Sequence, residues 1–156
     1  MQHVNKKLVL PYTRKQMFNL VNAIEDYPLF LPWCKSVQVH YQREVGVDCQ
    51  EIKATLNIAK GPAKFDMTTI NLAQENLTLE SDSIKLKLAN GPFRHFDGGW
   101  KFTDLVNGTS SIDFSMEFQF ANKLFAIALE PVFLSLSNSL LEAFLRRAAE
   151  VYVPRR

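Results

Sequence analysis

The stretch from Ser110 to Phe120 reads Ser-Ser-Ile-Asp-Phe-Ser-Met-Glu-Phe-Gln-Phe, and it alternates without a break. Ile112, Phe114, Met116, Phe118 and Phe120 fall on one side; Asp113, Ser115, Glu117 and Gln119 fall on the other. A period of two belongs to a strand with one buried face. The period then changes. From about Asn122 to about Val153, the residues Phe125, Leu129, Phe133, Leu136, Leu140, Phe144, Ala148 and Val151 recur every three or four positions, the stripe of a long amphipathic helix. A second row, Leu134, Leu141 and Leu145, widens the apolar arc, while Ser135, Ser139, Glu142, Arg146 and Glu150 make the solvent row. Glu142 precedes Arg146 by one turn, the favourable order for a helix ion pair. Pro131 predicts a kink, or a helix that runs regularly only from that point. A strand with one apolar face followed by a helix with a wide apolar arc predicts a sheet covered by that helix.

Working back from this junction, the same alternation recurs. Phe96, Trp100 and Phe102 share a face, with Gly98 and Gly99 between them, and Asn107-Gly108 signals a hairpin turn. Ile84, Leu86 and Leu88 stand opposite Lys85 and Lys87, with Leu77 and Leu79 ahead of them. From Lys64 to Leu72 the phase is ambiguous, since Phe65 and Met67 favour one face and Ile70 and Leu72 the other, which suggests a bulge. Ile52, Ala54, Leu56 and Ile58 alternate, as do Val37, Val39 and Tyr41. Near the N-terminus, residues 4–10 predict a strand that stops at Pro11. Thr13 and Gln16 have the spacing of a capping box, and Met17, Leu20, Val21 and Ile24 give a short helix. Tyr27-Pro28 and Leu31-Pro32 then interrupt regular structure twice. The fold class is α+β, an antiparallel meander with one apolar face and a long C-terminal helix.

Composition narrows the function classes. The chain has 156 residues, with 47% hydrophobic and 22% charged, near globular averages, so disorder and a coiled coil are excluded. Residues 1–156 are expected to form a single domain able to build a core without disulfides or metal. A net charge of +2 is far from that of a dedicated nucleic-acid module, and no DNA partner is expected. Cys34 and Cys49 match no metal spacing and read as reduced thiols. No signal peptide is expected at the N-terminus, and the longest uninterrupted apolar run, Leu124 to Leu129, is too short for a membrane span. A cytoplasmic protein is the expectation, in contact at most with the inner face of a membrane.

The 12 Phe residues against 4 Tyr and 2 Trp are the unusual feature, because most of the aromatic surface has no polar handle. Those rings face either a solid core or an apolar ligand, and counts alone leave both open. No catalytic residue or metal ligand set is expected. His3, His40 and His95 are scattered, and no nucleophile elbow or phosphate loop is present. His95 and Asp97 share a strand face and are the one candidate base and orienter. Basic pairs stand at Lys6-Lys7, Arg14-Lys15, Arg146-Arg147 and Arg155-Arg156, as solvated ends of elements or as one shared surface.

Three motifs in order carry a family resemblance: Tyr27-Pro28-Leu29-Phe30-Leu31-Pro32-Trp33-Cys34; Gly91-Pro92-Phe93 followed by Gly98-Gly99-Trp100-Lys101-Phe102; and Phe144 to Arg147 through Val151-Tyr152. Together they resemble the coenzyme Q-binding START-like family of polyketide cyclase/dehydrase-type proteins, whose bacterial branch includes the ribosome association toxin. The resemblance implies a helix-grip (START/Bet v 1-like) fold, a curved antiparallel sheet around a long C-terminal helix with an apolar cavity between them. It implies binding of ubiquinone or a similar isoprenoid as a ligand rather than a cofactor, by a non-enzymatic chaperone or carrier that supports respiration. The alternative it implies is association with the large ribosomal subunit through an outer basic surface, blocking subunit joining. Polyketide cyclase activity fits less well, for want of an acid–base pair.

Carried onto this sequence, the resemblance puts Phe30 and Trp33 at the cavity mouth and Phe93, Phe96 and Trp100 along the sheet, with Phe133, Leu136 and Leu140 on the helix. Tyr41, Leu56, Met67, Met116, Phe118 and Leu129 complete the expected ligand-binding set. Trp100 or Tyr41 is the expected hydrogen-bond donor to a quinone carbonyl. Leu29, Phe30 and Leu31 are the expected membrane-touching residues.

Overall fold

The computed structural model describes residues 1–152. Its strands are β1 (Gln2–Leu10), β2 (Cys34–Gly46), β3 (Cys49–Lys60), β4 (Ala63–Gln74), β5 (Ser81–Asn90), β6 (Phe93–Asp104) and β7 (Ser110–Phe120). Helices α1 (Arg14–Asn22) and α2 (Tyr27–Phe30) lie between β1 and β2, and α3 (Lys123–Val151) follows β7. All seven strands form one antiparallel sheet in the order β1-β7-β6-β5-β4-β3-β2. The first strand therefore closes against the last, with Val4 opposite Met116 and Leu8 opposite Ile112. The inward faces of the strands and the stripe of α3 share one hydrophobic core. This is the helix-grip arrangement expected from the sequence.

Local chemistry sets the N-terminal cap. The Thr13 hydroxyl accepts from the Gln16 amide at 3.2 Å, and the Gln16 side chain accepts from the Thr13 amide at 2.9 Å, so the capping box forms as read. Met17, Phe18, Leu20 and Val21 are buried by α1 against the sheet. Arg14 departs from its reading as a solvated base. Its guanidinium is buried, 3.3 Å from Asp104 and 3.7 Å from the fully buried Asp82, while Lys15 reaches Asp82 at 3.1 Å and Glu75 at 3.3 Å. Pro28 does not interrupt structure; it stands in the first turn of α2, where its missing N–H is unneeded. Leu29 is exposed and Phe30 half-buried, but Leu31 is fully buried beside Cys34, so the expected apolar triplet is not one surface.

The strands correct further readings. In β4 the phase never changes: Phe65, Met67, Thr69, Asn71 and Ala73 point inward, leaving Ile70 and Leu72 outside. The bulge is opposite, in β5, where Leu88 and Asn90 pair with the adjacent Thr69 and Thr68. A second bulge between Val39 and Tyr41 in β2 turns Tyr41 to the outer face opposite Lys53. A third lies between Phe93 and His95 in β6, so that Phe93 and Phe96 both face inward. Asn107 and Gly108 have φ of 59° and 75°, and the Thr109 amide donates to the Val106 carbonyl at 3.2 Å, consistent with the hairpin signal. Leu77 and Leu79 lie in the exposed turn before β5.

Helix α3 starts at Lys123, capped by the Asn122 side chain accepting from the Phe125 amide at 2.9 Å, and continues through Pro131. The predicted extension to Val153 lies outside the described residues. Leu129, Phe133, Leu136, Phe144 and Ala148 are buried, but Phe125 and Val151 at the ends of the stripe are exposed. The ion pair found on the helix is Arg147–Glu150 at 3.4 Å rather than Glu142–Arg146. Taken whole, α3 is long and apolar enough to cross a membrane by length and composition, although its longest uninterrupted apolar run is short. Its inner stripe packs against the core of the grip, and its first two turns leave Leu124 and Ile127 exposed at 79% and 77%.

Candidate functional site

The grip is filled at one end and hollow at the other. At the filled end Phe93 stacks on Phe120 at 4.7 Å between centroids, and Phe133 meets Phe118 edge-on at 4.9 Å and Phe93 at 5.2 Å. Beyond Phe133 lies a cavity of about 110 Å³. Trp33, Leu56, Met67, Phe96, Trp100, Met116, Phe133, Leu136 and Leu140 line it, all of them in the expected ligand-binding set. Half-buried Trp33, Leu56 and Leu140 mark where this lining reaches the surface.

Five expected residues lie elsewhere, each for a physical reason. Phe93, Phe118 and Leu129 belong to the packed end, where interlocking rings leave no space. The Phe30 ring lies against Phe144 at 5.3 Å with the Arg147 guanidinium 5.3 Å above it, so Tyr27 rather than Phe30 reaches the cavity. Tyr41 is on the outer face because of the bulge, donating to Glu51 at 3.0 Å beneath Arg43, and its phenol is no donor to a cavity ligand. Loss of hydration, then the hydrogen bond to Glu51, raises the Tyr41 pKa.

Sequence reasoning missed Ile24, Tyr27, Ile58, Leu86, Phe114 and Phe144 as lining residues, although most of them lie on the alternating or helical stripes already read. It also missed the polar members, Thr69, Asn71 and Ser137. These are only 7%, 7% and 6% exposed. The Thr69 hydroxyl donates to Asn71 Oδ1 at 2.8 Å, and Ser137 Oγ donates to the Phe133 carbonyl at 2.7 Å. The signal was the unbroken phase of Phe65 and Met67, which continues to Thr69 and Asn71. The Tyr27 hydroxyl donates to the Val21 carbonyl, and burial raises its pKa well above the ordinary tyrosine value, so the phenol is neutral and its proton engaged.

Among the described residues, no carboxylate, imidazole, ammonium or guanidinium group lines the cavity. His95 is not oriented by Asp97; it faces Glu117 at 3.1 Å on the outer side of the sheet, with His3 at 3.6 Å from the same carboxylate. No group of three or more metal-ligating side chains is present among the described residues. Cys34 is buried and its thiol is pushed up to about 11 by desolvation; Cys49 is half-buried, and both are free. Of the basic pairs, Arg14 and Lys15 are engaged by carboxylates, Arg147 packs on Phe30, and Arg155-Arg156 lies outside the described residues.

A sheet wrapped around one long helix, with an apolar void bearing a few neutral polar groups, defines a ligand-binding helix-grip protein. The family model described as polyketide cyclase / dehydrase and lipid transport matches residues 10–145, and the chain belongs to this START-like family. It is 34% identical over 155 residues to the persistence and stress-resistance toxin PasT of Escherichia coli, covering 99% of this chain and 92% of that one. It is 33% identical to the ribosome association toxin RatA of Pseudomonas aeruginosa, covering 96% and 97%. It is 25% identical to the mitochondrial coenzyme Q-binding protein coq10 of Schizosaccharomyces pombe, covering 90% and 82%. Among solved structures, an 18 kDa protein of Caulobacter crescentus superposes with a TM-score of 0.76 at 25% identity, covering 99% and 100%. The fold is shared with a Streptomyces aromatase/cyclase, at a TM-score of 0.66 and 16% identity over 94% and 93%.

Proposed function

We propose that the chain binds ubiquinone or a similar ring-bearing isoprenoid in the grip cavity, as a non-enzymatic carrier or chaperone that supports respiration. The observation that carries this reading is the void itself: past the Phe93, Phe118, Phe120 and Phe133 cluster a space remains, walled by Trp100, Phe114, Phe144 and Tyr27, which pack on one another at 4.5–5.5 Å, and lined by neutral groups. A cavity near 110 Å³ is of the order of the ~150 Å³ voids that take up a benzene-sized ring. It suits a head-group ring, whereas an isoprenoid tail must leave past Trp33, Leu56 and Leu140. Each CH₂ of that tail kept from water contributes about 0.8 kcal/mol, so no charged anchor is needed. The coenzyme Q-binding relative supports the ligand class. Among the described residues the lining has no carboxylate or imidazole, and its Tyr27 phenol is neutral with its proton engaged, which supports a carrier over a cyclase.

Exchange of such a ligand takes place at the cytoplasmic face of a membrane. Leu29, exposed on α2 between the cavity-lining Tyr27 and Trp33, is the residue for that contact. The test is organic extraction and mass spectrometry of protein purified from its native cells. Stoichiometric ubiquinone or another isoprenoid is expected; a chain that carries no lipid and takes up none when offered overturns the reading.

A second reading, association with the large ribosomal subunit, is favoured by the two toxin relatives, which match nearly the whole chain at 33–34% identity. Its surface cannot rest on Arg14 and Lys15, already neutralised, and shifts to Lys6, Lys7 and Arg146. Co-sedimentation of lipid-free protein with large subunits, lost at raised salt, is the outcome that favours it.

A further inference from the structure

The inner face of β4 reverses the usual pattern. At positions 69–72 the polar residues Thr69 and Asn71 point into the core, and the apolar Ile70 and Leu72 point away from it. A one-residue slip would exchange the two sets, and register is ordinarily chosen to avoid such an arrangement. Local rules broken in this way, without compensation in the fold, mark functional positions. The surroundings offer no compensation. The residues paired with Asn71 on either side are Ile52 and Leu86; those paired with Thr69 are Ala54 and Leu88. Thr69 occupies Asn71 Oδ1, and Ser137 is committed to its own helix. Among the described residues no protein acceptor is bonded to Asn71 Nδ2, on a cavity-lining residue that is 7% exposed.

We infer that Asn71 is the head-group donor of the cavity: its Nδ2 donates to a carbonyl oxygen on the ring of an otherwise apolar ligand, with Thr69 holding the amide in that orientation. The inference rests on the proposed ligand reading and deepens it, because it makes the cavity selective for an oxygenated ring over a plain hydrocarbon. The Ser137 hydroxyl, whose proton goes to Phe133, keeps lone pairs on the same lining and accepts from the hydroxyl of a reduced ring.

The experiment measures calorimetric affinity for two probes, a fully substituted decyl-benzoquinone and decylbenzene, in the wild type and in Asn71→Leu. The wild type is expected to prefer the quinone, and Asn71→Leu to cut the ratio of affinities about tenfold, the worth of one buried hydrogen bond. Decylbenzene binding is retained or strengthened, because Leu adds apolar surface to the wall, and this also shows that the variant is folded. An unchanged ratio overturns the assignment of Asn71 and leaves the apolar cavity standing. Failure of the wild type to bind either probe overturns the ligand reading itself. Where Asn71→Leu does not fold, Thr69→Val makes the same comparison by freeing the amide from its orienting bond. A ratio equal to that of the wild type there overturns the inference.

Discussion

Phe133 separates the filled half of the grip from the hollow half, so Phe133→Ala tests both. Its ring lies 4.9 Å from Phe118, 5.2 Å from Phe93 and 6.0 Å from Phe65 and Phe120, while it also lines the cavity. Truncating a buried Phe to Ala costs about 3–5 kcal/mol, and more of that range where neighbours cannot collapse inward. Here the neighbours are rings on strands tied into a sheet, and each aromatic pair adds about 0.5–1.5 kcal/mol beyond its buried area. The expected loss is therefore at the upper end, about 4–5 kcal/mol. A chain of this size is stable by roughly 8–15 kcal/mol, so the variant still folds. The void it creates joins the existing cavity, and the size preference moves from benzene-sized to naphthalene-sized ligands. Urea unfolding followed by tryptophan fluorescence gives the first quantity, and calorimetry with the two hydrocarbons gives the second. A loss below about 2 kcal/mol, or an unchanged size preference, refutes the reasoning that this ring is an interlocked partition.

Three other outcomes follow from the same structure. Leu136→Arg puts a cation into a lining with no carboxylate among the described residues and is expected to abolish lipid occupancy; native lipid retained on extraction counts against the cavity assignment. Asp82→Ala leaves Arg14 buried with only Asp104 and is expected to cost about 3–5 kcal/mol, whereas Arg14→Met combined with Asp82→Ala costs less than the single change. Denaturant titrations of the two variants check it, and a single-variant loss under about 1 kcal/mol speaks against a buried cluster. The Cys34 thiol, held up to about 11 by burial against 9.0 for the free group, contributes stability that is complete below pH 9 and is lost as pH rises toward 11, since the unfolded chain releases this proton first. Below pH 9, a thiol reagent is expected to modify Cys49 readily and Cys34 only on unfolding; equal rates at the two sites contradict that burial.

Much of the fold was legible because it is written in short-range periods. The alternation from Ile112 to Phe120, the stripe from Leu129 to Ala148 and the Thr13–Gln16 capping box each depend on residues within a few positions of one another. Errors arose where a period is reset by a single residue. The extra residue between Val39 and Tyr41 moved Tyr41 to the outer face, and the ambiguity at Ile70 and Leu72 came from apolar side chains placed outside. Arg14 shows a different blindness: nothing beside it in the chain reveals that Asp82 and Asp104 converge on it from distant strands.

The cavity itself divides in the same way. Its apolar wall was determined by the sequence, because Met67, Phe96, Trp100, Met116, Leu136 and Leu140 lie on faces that must turn away from water. Which of the many rings fill the interior and which wall the cavity was decided only by tertiary structure. The pairing of β1 with β7, the bulges in β2, β5 and β6 and the seating of α3 set distances between rings far apart in the chain. Those distances pack Phe93, Phe118, Phe120 and Phe133 together and leave Asn71 facing empty space, because side-chain packing depends on positions in three dimensions that no periodicity along the chain encodes.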